Sequence, residues 1–83
     1  MALVKGFAPA QRKTLRLQPT RVICRYAVDE LPGGGKLLQL DTHGSDEREI
    51  PGKVSQTLQL NEQAALVLWE ILGREFGFKA APR

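Results

Sequence analysis

Three stretches of this chain alternate apolar and polar residues with period two, and a later stretch repeats its apolar residues at helical spacing. From Thr20 to Val28, Val22, Cys24, Tyr26 and Val28 fall on one side, with Arg21, Ile23, Arg25 and Ala27 on the other. That alternation, rich in β-branched and aromatic residues, predicts a strand, because successive side chains of an extended backbone point to opposite faces. Leu31-Pro32-Gly33-Gly34-Gly35 predicts a hairpin turn: glycine reaches positive φ without a Cβ clash, and proline fixes its own φ. Lys36–Thr42 is the returning strand, with Leu38, Leu40 and, at its end, Thr42 expected toward the core. After a polar loop over 42–49 and a Pro51-Gly52 turn, Val54–Leu60 alternates again. Val54, Gln56, Leu58 and Leu60 oppose Ser55, Thr57 and Gln59. A face of Ser, Thr and Gln suits either contact with a polar ligand or plain solvation.

Residues 61–76 predict the one helix. Asn61 is a good N-cap, Glu62 suits the positive N-terminal end, and Leu60 can staple against Ala65. At about 100° per residue, Ala64, Ala65, Val67, Leu68, Ile71, Leu72 and Phe76 share one broad face. Glu62, Gln63, Glu70 and Arg74 lie opposite, and Leu66 and Trp69 fall on or beside that polar side. An outward Leu–Trp pair three residues apart suggests a second contact surface, a homodimer seam in preference to simple core packing. Gly73 and Gly77 weaken the helix end.

The remaining segments set the domain plan. Residues 1–13 lack periodicity and contain Gly6 and Pro9, which predicts a flexible basic arm. A short extended piece over Thr14–Leu17 follows, and 14–77 form a single ββββα-type domain. Residues 78–83 read as a tail. The expected fold class is α+β: a three- to four-stranded curved antiparallel sheet closed by one C-terminal helix, as a homodimer.

Composition changes this picture in two ways. Eighty-three residues are near the size where one core is marginal, so packing, cross-links, metal or association must help. Cys24 is the only cysteine and His43 the only histidine, so disulfides are excluded and no metal site or cofactor is expected. The single thiol, with no signal-peptide pattern and no long apolar run, points to a cytoplasmic protein without a membrane segment. The net charge of +3 is uneven: Lys5, Arg12, Lys13, Arg16, Arg21 and Arg25 precede any acid, whereas Asp41, Asp46, Glu47 and Glu49 cluster in an acidic loop over 41–49. A basic, acid-free first third fits an anionic partner, nucleic acid above all, or a solubilising tail.

Candidate chemistry is sparse. Gly33-Gly34-Gly35-Lys36 lacks the Walker ending, since Leu37 follows Lys36, and a hairpin turn explains it better. The acidic loop lacks EF-hand spacing, and Ser45 and Cys24 have no activating partner, so no catalytic residue is assigned and the chain is read as not an enzyme. Arg21 and Arg25, expected about 13 Å apart on one strand face, match roughly two phosphate spacings of an extended single strand. Lys36, Lys53, Arg12, Lys13 and Arg16 would extend that track. With Tyr26 on the apolar side, stacking aromatics are few, and affinity would be mainly electrostatic and salt-sensitive.

Pro51-Gly52-Lys53, the alternating strand after it and Leu60-Asn61-Glu62-Gln63 together resemble the positive-cofactor-four type of single-stranded-DNA-binding (transcriptional coactivator) fold. The resemblance spans about residues 20–76. It implies a curved antiparallel sheet that holds single-stranded nucleic acid, helices that pair two subunits, and small bacterial and phage members with the same layout. It also implies that Lys53 contacts the nucleic-acid backbone and that Leu68, Trp69 and Leu72 lie near the helix–helix seam. The expected function is a small non-enzymatic module binding single-stranded DNA or RNA as a regulator. The alternative is a protein-interaction subunit that docks on a larger enzyme or regulatory complex through Leu66, Trp69 and the acidic loop.

Overall fold

The computed structural model describes residues 1–12, 14–43 and 54–78. Four strands and one helix follow the order β1 (Ala2–Val4), β2 (Cys24–Glu30), β3 (Lys36–His43), β4 (Val54–Asn61) and α1 (Glu62–Phe76). The strands form one sheet in the order β1-β4-β3-β2. β2, β3 and β4 are antiparallel neighbours, whereas β1 pairs parallel to β4, with Leu3 opposite Gln59. The layout is α+β, as expected, with a mixed rather than wholly antiparallel sheet.

The hairpin forms where the glycines allow it. Gly33, Gly34 and Gly35 all have positive φ, and Leu31 N–H donates to the Gly35 carbonyl at 2.9 Å. Cross-strand register runs Tyr26–Leu40–Leu58 and Val28–Leu38–Leu60 on one face, and Arg25–Asp41–Thr57 and Ala27–Gln39–Gln59 on the other. A register shift at Thr42/His43 marks the end of the regular β3–β4 ladder, where an extra residue locally disrupts pairing.

The helix starts at its expected cap: the Asn61 carboxamide oxygen accepts from Ala64 N–H at 2.9 Å. It ends at Gly77, in the left-handed conformation at φ 72°, ψ 22°, where glycine has no Cβ to clash. Glu62 ties the helix to the hairpin, since its Oε1 accepts from Lys36 N–H at 3.0 Å. Leu60 and Ala64 are the buried apolar residues among those described, and they mark where α1 meets the leucine face of the sheet. Ala65, Leu68, Ile71 and Leu72 are half-buried behind them.

Several expectations are corrected. Ala2–Val4, assigned to the arm, is an edge strand; three residues are too few to show periodicity, and their partner lies more than fifty positions away. Thr14–Leu17 forms no strand, and the second strand begins at Cys24 rather than Thr20 and continues to Glu30. Val22, Cys24, Tyr26 and Val28, expected to face a core, are all exposed, Tyr26 at 75%. The alternation is there, but β2 is an outer strand and α1 packs on β3 and β4, beyond its reach. Val67 and Phe76, expected on the packed side of the helix, are exposed as well, and Phe76 instead meets the Phe78 ring at 5.3 Å. Lys13, Lys53, the loop over 44–49, the Pro51-Gly52 turn and the tail beyond 78 lie outside the described residues.

Candidate nucleic-acid interface

The polar face of the sheet carries a continuous hydrogen-bonded row. Gln59 Nε2 donates to Gln39 Oε1 at 2.9 Å, and Gln39 Nε2 in turn donates to the Asp41 carboxylate, at 3.1 Å to Oδ2. Thr57 Oγ1 closes the row on Asp41 Oδ1 at 2.6 Å. Each member stands on β3 or β4 at an alternate position, so the pleat brings all four to one face. Thr57 is buried; Met1 and Leu3 line the shallow hollow beside it with Gln39 and Gln59.

The charge on this row is negative. The Thr57 hydroxyl, then the Gln39 amide, hold the Asp41 carboxyl below its ordinary range by bonding its charged form, with His43 adding in the same direction and desolvation opposing. Arg25 stands opposite Asp41 in the β2–β3 register. Among the described residues the ion pair is Arg74–Glu75, at 3.2 Å on the surface, so the Arg25 guanidinium is not tied to Asp41.

The expected phosphate track is brought together only in part. Lys5, Arg12, Arg16, Arg21 and Arg25 are exposed, and none of them is ion-paired among the described residues. Arg25 is on the polar face of β2, whereas Arg21 precedes the strand, so no shared strand sets their spacing. Lys36 alternates with Leu37, Gln39 and Asp41 and therefore lies on the opposite face from Arg25, at the hairpin end. Lys13 and Lys53 lie outside the described residues.

The expected interface set divides. Leu66 and Trp69 are exposed, at 55% and 60%, on the outer side of α1, while Leu68 and Leu72 are half-buried toward the sheet. Phe7, Ala8 and Pro9 border an open groove of about 510 Å³ against Val67, Ile71 and Arg74. The sequence reading placed Thr57 and Gln59 on a wet face but missed their joining to Gln39 and Asp41. The alternation of Gln39 and Asp41 with Leu38 and Leu40 was a signal for that face; the register that links them was not.

Among the described residues no group of three or more His, Cys, Asp or Glu is placed to hold a metal ion. No helix among them is long and apolar enough to cross a membrane. No protein-family model, curated protein or solved structure matches the chain.

Proposed function

We propose that this chain is a small non-enzymatic module that binds single-stranded DNA or RNA and acts as a regulator, with a second copy of itself as partner. The observation that carries the reading is the run of exposed cations without ion pairs among the described residues (Lys5, Arg12, Arg16, Arg21 and Arg25) in a first third without a single acid. Cations without an internal partner keep their full attraction for phosphate. Asp41 repels phosphate from the middle of the polar face, so the nucleic-acid backbone runs along the cationic margin. The half-buried Gln39 and Gln59 amides then meet the edges of unpaired bases, which offer matching donors and acceptors. The resemblance of the sequence over about residues 20–76, through Pro51-Gly52-Lys53 and Leu60-Asn61-Glu62-Gln63, to the positive-cofactor-four type of fold supports the same reading.

Titrating labelled single- and double-stranded oligonucleotides at two salt concentrations tests it. Affinity should fall as salt rises, and replacing Arg12, Arg16 and Arg21 with Ala should flatten the log–log slope by about 0.7 for each phosphate that is no longer neutralised. Undetectable binding at low salt, or binding indifferent to salt, rules the reading out.

The exposure of Leu66 and Trp69 favours a second reading, docking on a larger protein. Under it, Trp69→Ala loses the partner in a pull-down while oligonucleotide binding is absent from the wild type.

A further inference from the structure

β2 is the outer strand of the sheet, all seven of its residues are exposed, and β3 is its pairing partner on one side. Among the described residues no strand pairs with its other side, which presents a row of backbone groups to solvent or to another chain. Which residues present those groups follows from the hydrogen bonds at its two ends. His43 N–H donates to the Ile23 carbonyl at 3.2 Å, and Leu31 N–H donates to the Gly35 carbonyl at 2.9 Å. In an antiparallel ladder the bonded positions alternate, so Arg25, Ala27 and Asp29 point their backbone groups at β3. Cys24, Tyr26, Val28 and Glu30 point theirs outward.

The side chains along this edge are complementary to their own reversed copy. An antiparallel copy centred on Ala27 places Arg25 opposite the partner's Asp29 and Asp29 opposite the partner's Arg25. On the other face it places Tyr26 opposite the partner's Val28, an aromatic–β-branched pair. The outward backbone groups fall into step as well: Tyr26 and Val28 exchange N–H and carbonyl bonds in both directions, and Cys24 N–H reaches the partner's Glu30 carbonyl. Glu30 N–H is already taken by Asp29 Oδ1 at 2.8 Å, which leaves Asp29 Oδ2 for the arginine. Moving the register by two residues either way sets Arg25 opposite Ala27 or Leu31 and forfeits both charge pairs. Edge strands that avoid pairing carry charges that repel their own kind; this one carries both signs at mutually matching positions.

We propose that two copies of this chain join edge to edge through β2, antiparallel and centred on Ala27, into one continuous eight-stranded sheet. The two-fold axis stands perpendicular to the sheet, so the two polar faces become one surface and the two leucine faces another. This interface is separate from the outer side of α1 and does not depend on nucleic-acid binding.

Two measurements on the full chain test the proposal. In a non-hydrogen-bonded antiparallel pair the facing Cα atoms are about 4.5 Å apart, within disulfide range. The double variant Cys24→Ser/Ala27→Cys should therefore form a disulfide-linked dimer under mild oxidation. Cys24→Ser with a cysteine at the exposed Leu15 should not. By sedimentation equilibrium the wild type should self-associate, and Asp29→Arg, which sets arginine against arginine twice, should weaken that step about tenfold. A wild-type tetramer that Asp29→Arg reduces to a dimer also supports the edge, with a second contact elsewhere. A folded Ala27→Cys variant that fails to cross-link, a wild type monomeric at about 100 µM, or association unchanged by Asp29→Arg overturns the proposal.

Discussion

Asn61 is the residue at which the extended chain becomes helical, and its side chain makes that change possible by accepting from Ala64 N–H. Replacing it with Ala leaves a helix-terminal donor without a partner, and urea denaturation should show a loss of about 1 kcal/mol. Asp41 is a second residue whose role is local and chemical. Folding lowers its pKa through the bonds from Thr57 and Gln39, so the folded state favours the charged form. Its contribution is complete above about pH 4, the unfolded value, and is lost as pH falls through the lower folded value. Urea midpoints measured from neutral pH downward should therefore fall below about pH 4 in the wild type. Asp41→Asn should start from a lower midpoint and fall less over that range.

Among the elements, α1 was legible almost whole, because a cap, a first-turn acid and a 3.6-residue repeat are all local signals. Its end depends on Gly77, whose left-handed conformation an alanine adopts at a cost of roughly 1–2 kcal/mol; thermal unfolding of Gly77→Ala should show that loss. The hairpin was equally legible, since a proline and three glycines leave little choice but a turn. β1 was not legible, because a parallel pairing with β4 is made by residues far away in sequence. The outward state of Tyr26 and Val28 was illegible for a related reason: alternation tells which residues share a face, not whether another element covers that face. Leu60 sits where the helix does cover the sheet, at 3% exposure. Leu60→Ala should cost about 2–5 kcal/mol and lower the unfolding midpoint sharply.

At the scale of the molecule, burial is thin. Leu60 and Ala64 are the fully buried apolar residues among those described, while Ile23, Tyr26, Leu66, Trp69 and Phe76 all stand more than half exposed. Such a chain gains from association, and under the proposed self-pairing its thermal midpoint should rise with protein concentration, because dimerisation stabilises the folded state by mass action. Circular-dichroism melts over a hundredfold concentration range would show the shift; a midpoint independent of concentration would argue for a monomer. The sequence by itself determined the helix and its cap, the hairpin, the two sets of faces and the basic first third, because each rests on contacts between near neighbours or on composition. Tertiary structure alone decided the strand order, the parallel edge formed by Ala2–Val4, the Gln59–Gln39–Asp41–Thr57 row and the exposure of β2. Those depend on which distant segments meet, and the pairing of distant segments leaves no periodicity in either one.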